Sequence, residues 1–446
     1  MSSRPGWRSR LLQVLLHRRY RTLRRGLAEL RRRLTLRPHV LQVFLQLDDP
    51  YSYLLSYYLA EVARHYKLEL RYYLSQALHS EFTPEPALLA EYALADCALL
   101  AAEFDVPFLD VGSAPVVEHR RRLLDFLAEE QVEDDFTETF NKALSSYWRG
   151  DNEGTARLIS RPQPASRDTS VLIGQNQLLL RKLGHYSSAM IRYGGEWYWG
   201  VDRLQHLLRR LDGLGANRGG KGSARLAAMQ QAMQLQLPAA VPDSAAGLPP
   251  LEMFHSFRSP YSYLALPRIY KIAAAFGLQL KLRPVLPMVT RGLPVPQQKL
   301  RYIVHDANRE AERLGAPFGR IADPLGKGVE RCMAVFPHAE QQGKQCEFLQ
   351  AAGIAIFGAA VDVATDEGMR KVTAKAGLSW PEVEAAMAQD DWQSQAAENR
   401  AALAATGLWG VPSFRIGEIA LWGQDRDWLL ARKIEDLCQT GDGILT

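Results

Sequence analysis

Near the start of the chain, Leu12, Leu16, Tyr20, Leu23, Leu27, Leu30 and Leu34 recur at steps of three or four. That spacing lines one face of an α-helix, and arginines fill the other faces up to a stop at Pro38. Much further on the pattern changes. LEMFHSF (251–257) is a short apolar run that reads as a strand, and Ser259-Pro260 then supplies a helix start, a hydroxyl at the N-cap followed by proline at N1. The helix runs to about Phe276, Gly277 ends it, and LQLKLRPV (278–285) alternates as a second strand. A strand-helix-strand unit of this length predicts parallel strands joined by a right-handed crossover. From about Met288 to Ala405 the periodicity is mostly helical. The chain then turns at TGLWGVPSF, forms two short strands (SFRIG and EIALWG), and closes with the helix DRDWLLARKIEDL.

The same pattern occurs twice. Laying residue n on n + 210 places LQVFLQL (41–47) on LEMFHSF and DDPYSYL (48–54) on RSPYSYL (258–264). It also pairs Tyr92 with Tyr302, Asp96 with Asp306 and Pro107 with Pro317. Towards the ends, GGEWYWGVDRLQHLL (194–208) matches GEIALWGQDRDWLL (417–430) at an offset of 223. A period this long duplicates whole domains, because solenoid repeats are about 20–50 residues. Between the copies, residues 213–250 are rich in Gly, Ala, Pro and Gln and read as a linker with one short helix around Ala224–Leu235.

Charge refines this layout. The chain of 446 residues is net +5, yet residues 1–38 hold twelve arginines against the single acid Glu29, so the body is mildly acidic and the basicity belongs to the arm. Three readings of the arm stand: a helix that packs its leucines on the body, a surface helix drawn to anionic lipid, or a nucleic-acid contact. Arginines interrupt any signal-peptide core, whereas the Arg-rich, acid-poor composition is compatible with an organellar transit peptide. No run of 18 apolar residues predicts a membrane span. Cys97, Cys332, Cys346 and Cys438 are scattered, with neither CxxC nor zinc-ligand spacing, which fits a reducing compartment without metal or structural disulfides.

SPYSYLA after the first strand, GVPSF before the third, and LWGQDR before the last helix resemble the kappa-class glutathione transferases and the 2-hydroxychromene-2-carboxylate isomerases. Both belong to the DsbA-type thioredoxin-fold superfamily. The resemblance covers about residues 251–437 and implies a thioredoxin-like domain carrying an inserted helical bundle. The fold expected for the chain is therefore α/β, with two tandem thioredoxin-like domains at 40–212 and 251–437, a basic helical arm at 1–38, and a linker at 213–250. Disulfide oxidoreductases of this fold carry CxxC where this chain has Ser259-Pro260-Tyr261-Ser262, so disulfide exchange at that turn is excluded.

What remains is a hydroxyl at a helix N-terminus, where backbone N–H groups and the helix dipole favour an anion. The resemblance implies that the anion is the thiolate of glutathione, with Ser259 at the sulfur. It further implies that Val411 and Pro412, the latter in a cis turn, pair with the cysteinyl backbone, and that Gln424 and Asp425 hold the γ-glutamyl end. Ser259 equally suits the plain role of an N-cap, and Asp425 that of capping the last helix. In the first copy Asp49 replaces Ser259 and SSAMI (187–191) replaces GVPSF, so Ala189 stands for Pro412, while Asp202 and Arg203 survive from the last motif. A carboxylate repels a thiolate, so this copy reads as a degenerate partner. Because kappa-type enzymes are dimers, the resemblance also implies an intrachain pseudo-dimer.

The functional expectation is a glutathione-dependent isomerase or transferase acting on a small electrophilic or aromatic substrate in the cytoplasm. The alternative is a non-catalytic thioredoxin-like binding protein, associated with membrane surfaces through the arm.

Overall fold

The computed structural model of the chain describes residues 13–14, 16–76, 80–108, 117–130, 135–160, 168–219, 222–389 and 391–440. Residues 1–12 and Leu15 of the arm therefore lie outside the described residues. The chain divides into two compact units, Arg24–Gln234 with Pro296–Lys299, and Met1–Leu23 with Leu235–Val295 and Leu300–Thr446.

In the first unit, β1 (His39–Leu45) leads through α2 (Pro50–His65) to β2 (Leu68–Leu74); α1 (Arg18–Leu34) precedes them. Helices α3 (Pro86–Glu103), α4 (Val117–Glu130), α5 (Phe136–Trp148), α6 (Asn152–Ile159) and α7 (Thr169–Lys182) follow. The chain then returns as β3 (Met190–Tyr193) and β4 (Glu196–Trp199), ending in α8 (Leu204–Gly213). Strand order is β2-β1-β3-β4, with β1 parallel to β2 and antiparallel to β3. The central strand β1 is hydrophobic on both faces, and Leu41, Val43 and Phe44 are fully buried, as a strand covered on two sides requires.

The second unit repeats this plan. Strands β5 (Leu251–His255), β6 (Leu280–Pro284), β7 (Ser413–Ile416) and β8 (Ile419–Trp422) form a sheet in the order β6-β5-β7-β8, again with one parallel and two antiparallel pairings. Helix α10 (Pro260–Ala275) makes the crossover. The helical insertion comprises α11 (Gln297–Leu314), α12 (Lys327–Gln341), α13 (Gln345–Gly353), α14 (Asp366–Ala376), α15 (Trp380–Met387) and α16 (Trp392–Ala404), and α17 (Asp427–Thr440) closes the unit. The molecule is thus mixed α/β with two four-stranded sheets of identical topology.

The duplication is visible in side-chain bonds as well as in strand order. Tyr51 donates to Asp96 at 2.9 Å, and Tyr261 donates to Asp306 at 2.8 Å. Tyr53 and Tyr263 donate to the carbonyls of Pro107 and Pro317. The turn residue Asp48 pairs with Arg120 of α4 at 2.8 Å, and its counterpart Arg258 pairs with Asp323, in the loop before α12, at 2.8 Å.

The stretch expected as a linker carries one short helix, near where the sequence predicts it, and a single helical turn at Asp243–Gly247. Helix α9 (Ala224–Ala232) is capped by Ser223, whose Oγ accepts from Leu226 N at 3.2 Å and donates to Glu61 of α2 at 2.6 Å. In the second unit Ala245 is buried, and Val241 lies over Gly277, where a Cβ would meet its Cγ1 at 2.8 Å. Gly277 has φ +64, the left-handed conformation that ends α10 and that favours glycine.

Candidate active site

Ser259 is the N-cap of α10, with extended backbone (φ −93, ψ 112). Its Oγ accepts from Ser262 N at 3.1 Å and donates to the carbonyl of Val411 at 3.4 Å. The first contact is the capping bond that a hydroxyl at this position makes. The second is at the long limit of hydrogen-bond geometry, so the hydroxyl proton is weakly held and can turn to a better acceptor. Ser259 is half-buried, and the N-terminal end of an α-helix favours negative charge beside it.

Val411 precedes β7, and the Val411–Pro412 peptide bond is cis. Pro412 O accepts from Gly423 N at 2.9 Å, which ties this turn to the loop after β8. Trp409 and Trp422 pack with ring centroids 4.8 Å apart. Gly410 lets them approach, since a Cβ there would stand 2.2 Å from the Trp422 ring. Ser259 and the Val411–Pro412 turn, which come from two separate places in the sequence, therefore meet at one spot.

The remaining two predicted residues behave differently from each other. Gln424 is 1% exposed, and both ends of its amide are engaged: Oε1 accepts from Arg268 at 2.7 Å and Nε2 donates to Glu310 at 3.0 Å. Its side chain is a buried strut between Arg268 and Glu310. Asp425 is half-buried, its Oδ1 stands 3.7 Å from Arg426, and Gly423 (φ +118) makes room for it.

The sequence reading missed the group that organises this corner. Arg268 donates from Nη2 to the backbone carbonyl and Oε1 of Gln424, and its Nη1 lies 3.2 Å from Asp427 at the start of α17. Burial pushes the Asp427 carboxyl above its usual range, with Arg268 and Arg313 opposing that push. A half-buried arginine that holds both Gln424 and Asp427 fixes the β8–α17 loop from α10, the helix that Ser259 caps. Its signal in the sequence is faint, because an arginine in mid-helix reads as solvated.

Arg291 was also missed. It follows β6, is half-buried, and donates from Nη2 to Trp409 O at 2.8 Å, while its Nε has no partner among the described residues. Burial lowers its pKa, and Arg400 adds repulsion. A partly desolvated guanidinium with an unused donor, beside the 409–412 turn, suits a carboxylate. Beneath the site, on β5, His255 is 2% exposed with Nδ1 unpartnered, and burial lowers its pKa to about 3. It is a neutral core residue.

In the first unit the equivalent turn is closed chemically. Asp49 caps α2 by accepting from Tyr51 N at 3.2 Å, and its Oδ2 accepts from Ser52 Oγ at 2.7 Å and Ser188 Oγ at 2.9 Å. Ser188 occupies the position of Val411, and Ala189, at the position of Pro412, has φ +54. Burial pushes the Asp49 carboxyl up, opposed by those hydroxyls. Asp202 and Arg203 are both buried.

Among the described residues no group of His, Cys, Asp and Glu is arranged to hold a metal. Cys97 and Cys332 are buried, and burial pushes Cys332 up to about 12 and Cys346 up to about 11, so these last two are poor nucleophiles.

Residues 250–435 match the family described as the DSBA-like thioredoxin domain. This part of the chain is a DsbA-like thioredoxin domain, and it is homologous to 2-hydroxychromene-2-carboxylate isomerase. The isomerase of that name from Pseudomonas putida is 25% identical over 206 residues, which span 42% of this chain and 96% of the relative. A solved 2-hydroxychromene-2-carboxylate isomerase structure matches at 21% identity with a TM-score of 0.38, covering 44% of this chain and 99% of that one. The cytosolic disulfide reductase DsbM from Pseudomonas aeruginosa, solved with GSH, matches at 21% identity and a TM-score of 0.33, covering 42% of this chain and 98% of its own.

Proposed function

We propose that the protein is a glutathione-dependent enzyme of the 2-hydroxychromene-2-carboxylate isomerase type, or a kappa-like transferase, with its site in the second unit. The reading adds that residues 40–212 are a degenerate thioredoxin-like duplicate and that the enzyme works in the cytoplasm. One observation carries it: the Ser259 hydroxyl sits at a helix N-terminus with its proton only loosely directed at Val411 O, 3.4 Å away.

Glutathione supplies a thiol that adds to an electrophilic carbon and, in an isomerase, leaves again. The chain's own residues do the rest. Ser259 donates its proton to the sulfur anion while keeping its capping bond, and each unit by which a thiol pKa falls corresponds to about 1.4 kcal/mol. The Val411 backbone docks the peptide. Asp425 takes the α-ammonium of the γ-glutamyl end, and Gln424 supports that loop through Arg268 rather than touching the ligand. Arg291 takes a carboxylate, the group that a carboxylate substrate of the relative's kind presents.

Isothermal titration with glutathione tests this. Binding is expected for the parent and for Asp49→Ala, and loss for Ser259→Ala and Asp425→Ala. Absence of binding by the parent would overturn the reading in favour of a non-catalytic thioredoxin-like binding protein.

A further inference from the structure

Helix α1 presents its apolar face outward. At 3.6 residues per turn Leu23, Leu27, Leu30 and Leu34 share one narrow arc of the helix, and they are 58%, 57%, 53% and 77% exposed. The opposite arc is the covered one. Arg25 and Arg32 are half-buried there, Arg25 donating to Glu196 at 2.6 and 2.7 Å and Arg32 to Glu29 at 2.8 and 2.7 Å. The reading in which the leucines pack on the body therefore fails for this stretch, although Leu16 is buried and its carbonyl accepts from Asn308. A helix on a water-facing surface normally does the reverse. The Arg25–Glu196 pair holds this charged face inward, and the leucine stripe is left open.

Such a stripe calls for a cover, and charge decides which. Arg19, Arg31 and Arg33 are exposed along its two edges. Arginine stems lie along apolar surface while their heads reach for polar groups beyond it. A second copy of the chain would bring another arginine-edged stripe against this one, like charge facing like. An acidic bilayer satisfies both features at once, with acyl chains for the leucines and headgroup phosphates for the arginines.

We propose that α1 docks the protein on an anionic lipid bilayer, lying in the interface with Leu23, Leu27, Leu30 and Leu34 inserted and Arg19, Arg31 and Arg33 among the phosphates. The association is peripheral and reversible, since no helix among the described residues is long and apolar enough to cross a membrane.

The test is sedimentation of the full chain with vesicles of phosphatidylcholine alone and of phosphatidylcholine with about one third phosphatidylglycerol. The parent should partition at least roughly tenfold more strongly onto the anionic vesicles, and high salt should weaken it. Leu27→Glu with Leu30→Glu should abolish binding, and Arg19→Glu with Arg31→Glu should remove the preference for anionic lipid. All these positions are exposed, so each variant should melt with the parent. The proposal fails if the parent stays in the supernatant or if the leucine variant still sediments. It also fails if that variant converts a dimer to a monomer in ultracentrifugation, which would make a second copy the cover.

Discussion

The turns Asp48–Leu54 and Arg258–Leu264 share their proline, two tyrosines, a serine and a leucine, and share the bonds those residues make. Their caps differ by one functional group. Ser259 accepts one backbone bond and offers a proton across the turn to Val411 O. Asp49 also accepts a backbone bond, but offers nothing, and instead draws in the protons of Ser52 and Ser188. Both groups start a helix, as expected of good N-caps. The second contact separates them: a hydroxyl leaves a donor for a ligand, whereas a carboxylate meeting a serine fills the same space with an internal bond. On the function proposed above, the duplicated fold keeps its capping chemistry and loses its site through two substitutions that face each other.

The largest expected effect comes from the strand beneath the turn, where His255 of the second unit corresponds to Leu45 of the first. Its folded pKa lies below the unfolded value, so the stability of the neutral form is complete above about 6.5 and is lost as pH falls towards about 3. His255→Leu should flatten this loss, gaining roughly 3 kcal/mol relative to the parent at pH 4 in denaturant titrations. A parent whose second unit unfolds no more readily at pH 4 than at pH 7 would contradict the assignment.

Next in size is Ser259→Asn. Asparagine caps as well as serine, so the melting temperature should hold while glutathione binding falls about 10- to 100-fold, the equivalent of one or two thiol pKa units. Equal losses of stability and binding would reduce Ser259 to a cap. Asp49→Asn should do the opposite, leaving binding untouched. The Asp49 pKa is raised, so its favourable contribution is present at low pH and disappears as pH rises through the folded value. The amide should therefore be more stable than the parent by about 1 kcal/mol at neutral pH, with the difference vanishing in acid. The smallest effect tests the symmetry itself. Tyr51→Phe and Tyr261→Phe should each cost about 1 kcal/mol, by similar amounts, in thermal unfolding; a marked inequality would show that the two buried carboxylates serve different ends.

Much of this was legible in the chain. The repeat aligned Tyr51 with Tyr261 and Asp96 with Asp306 before any geometry was known, because a duplicated fold preserves its buried hydrogen bonds. The capping role of Ser259 was readable because a helix N-cap is written in adjacent residues, whereas the cis turn at Val411–Pro412 was expected from the family resemblance. The partners of Gln424 were not readable for the converse reason: its neighbours in the sequence mark a loop, but Arg268 and Glu310 lie 156 and 114 residues away. Arg291 escaped for the same cause, since its side chain donates to Trp409 O, 118 residues further along the chain.

The arm shows the same division most plainly. The sequence by itself determined that residues 18–34 form an amphipathic helix, since periodicity is a local property, and it determined the repeat, the parallel crossover and the helix caps. Tertiary structure alone decided which face of that helix is covered, which carboxylate is plugged by a serine and which glutamine is a strut. Each of those depends on a partner far along the chain, and the free energy of burying a charge or a leucine is set by what stands opposite it.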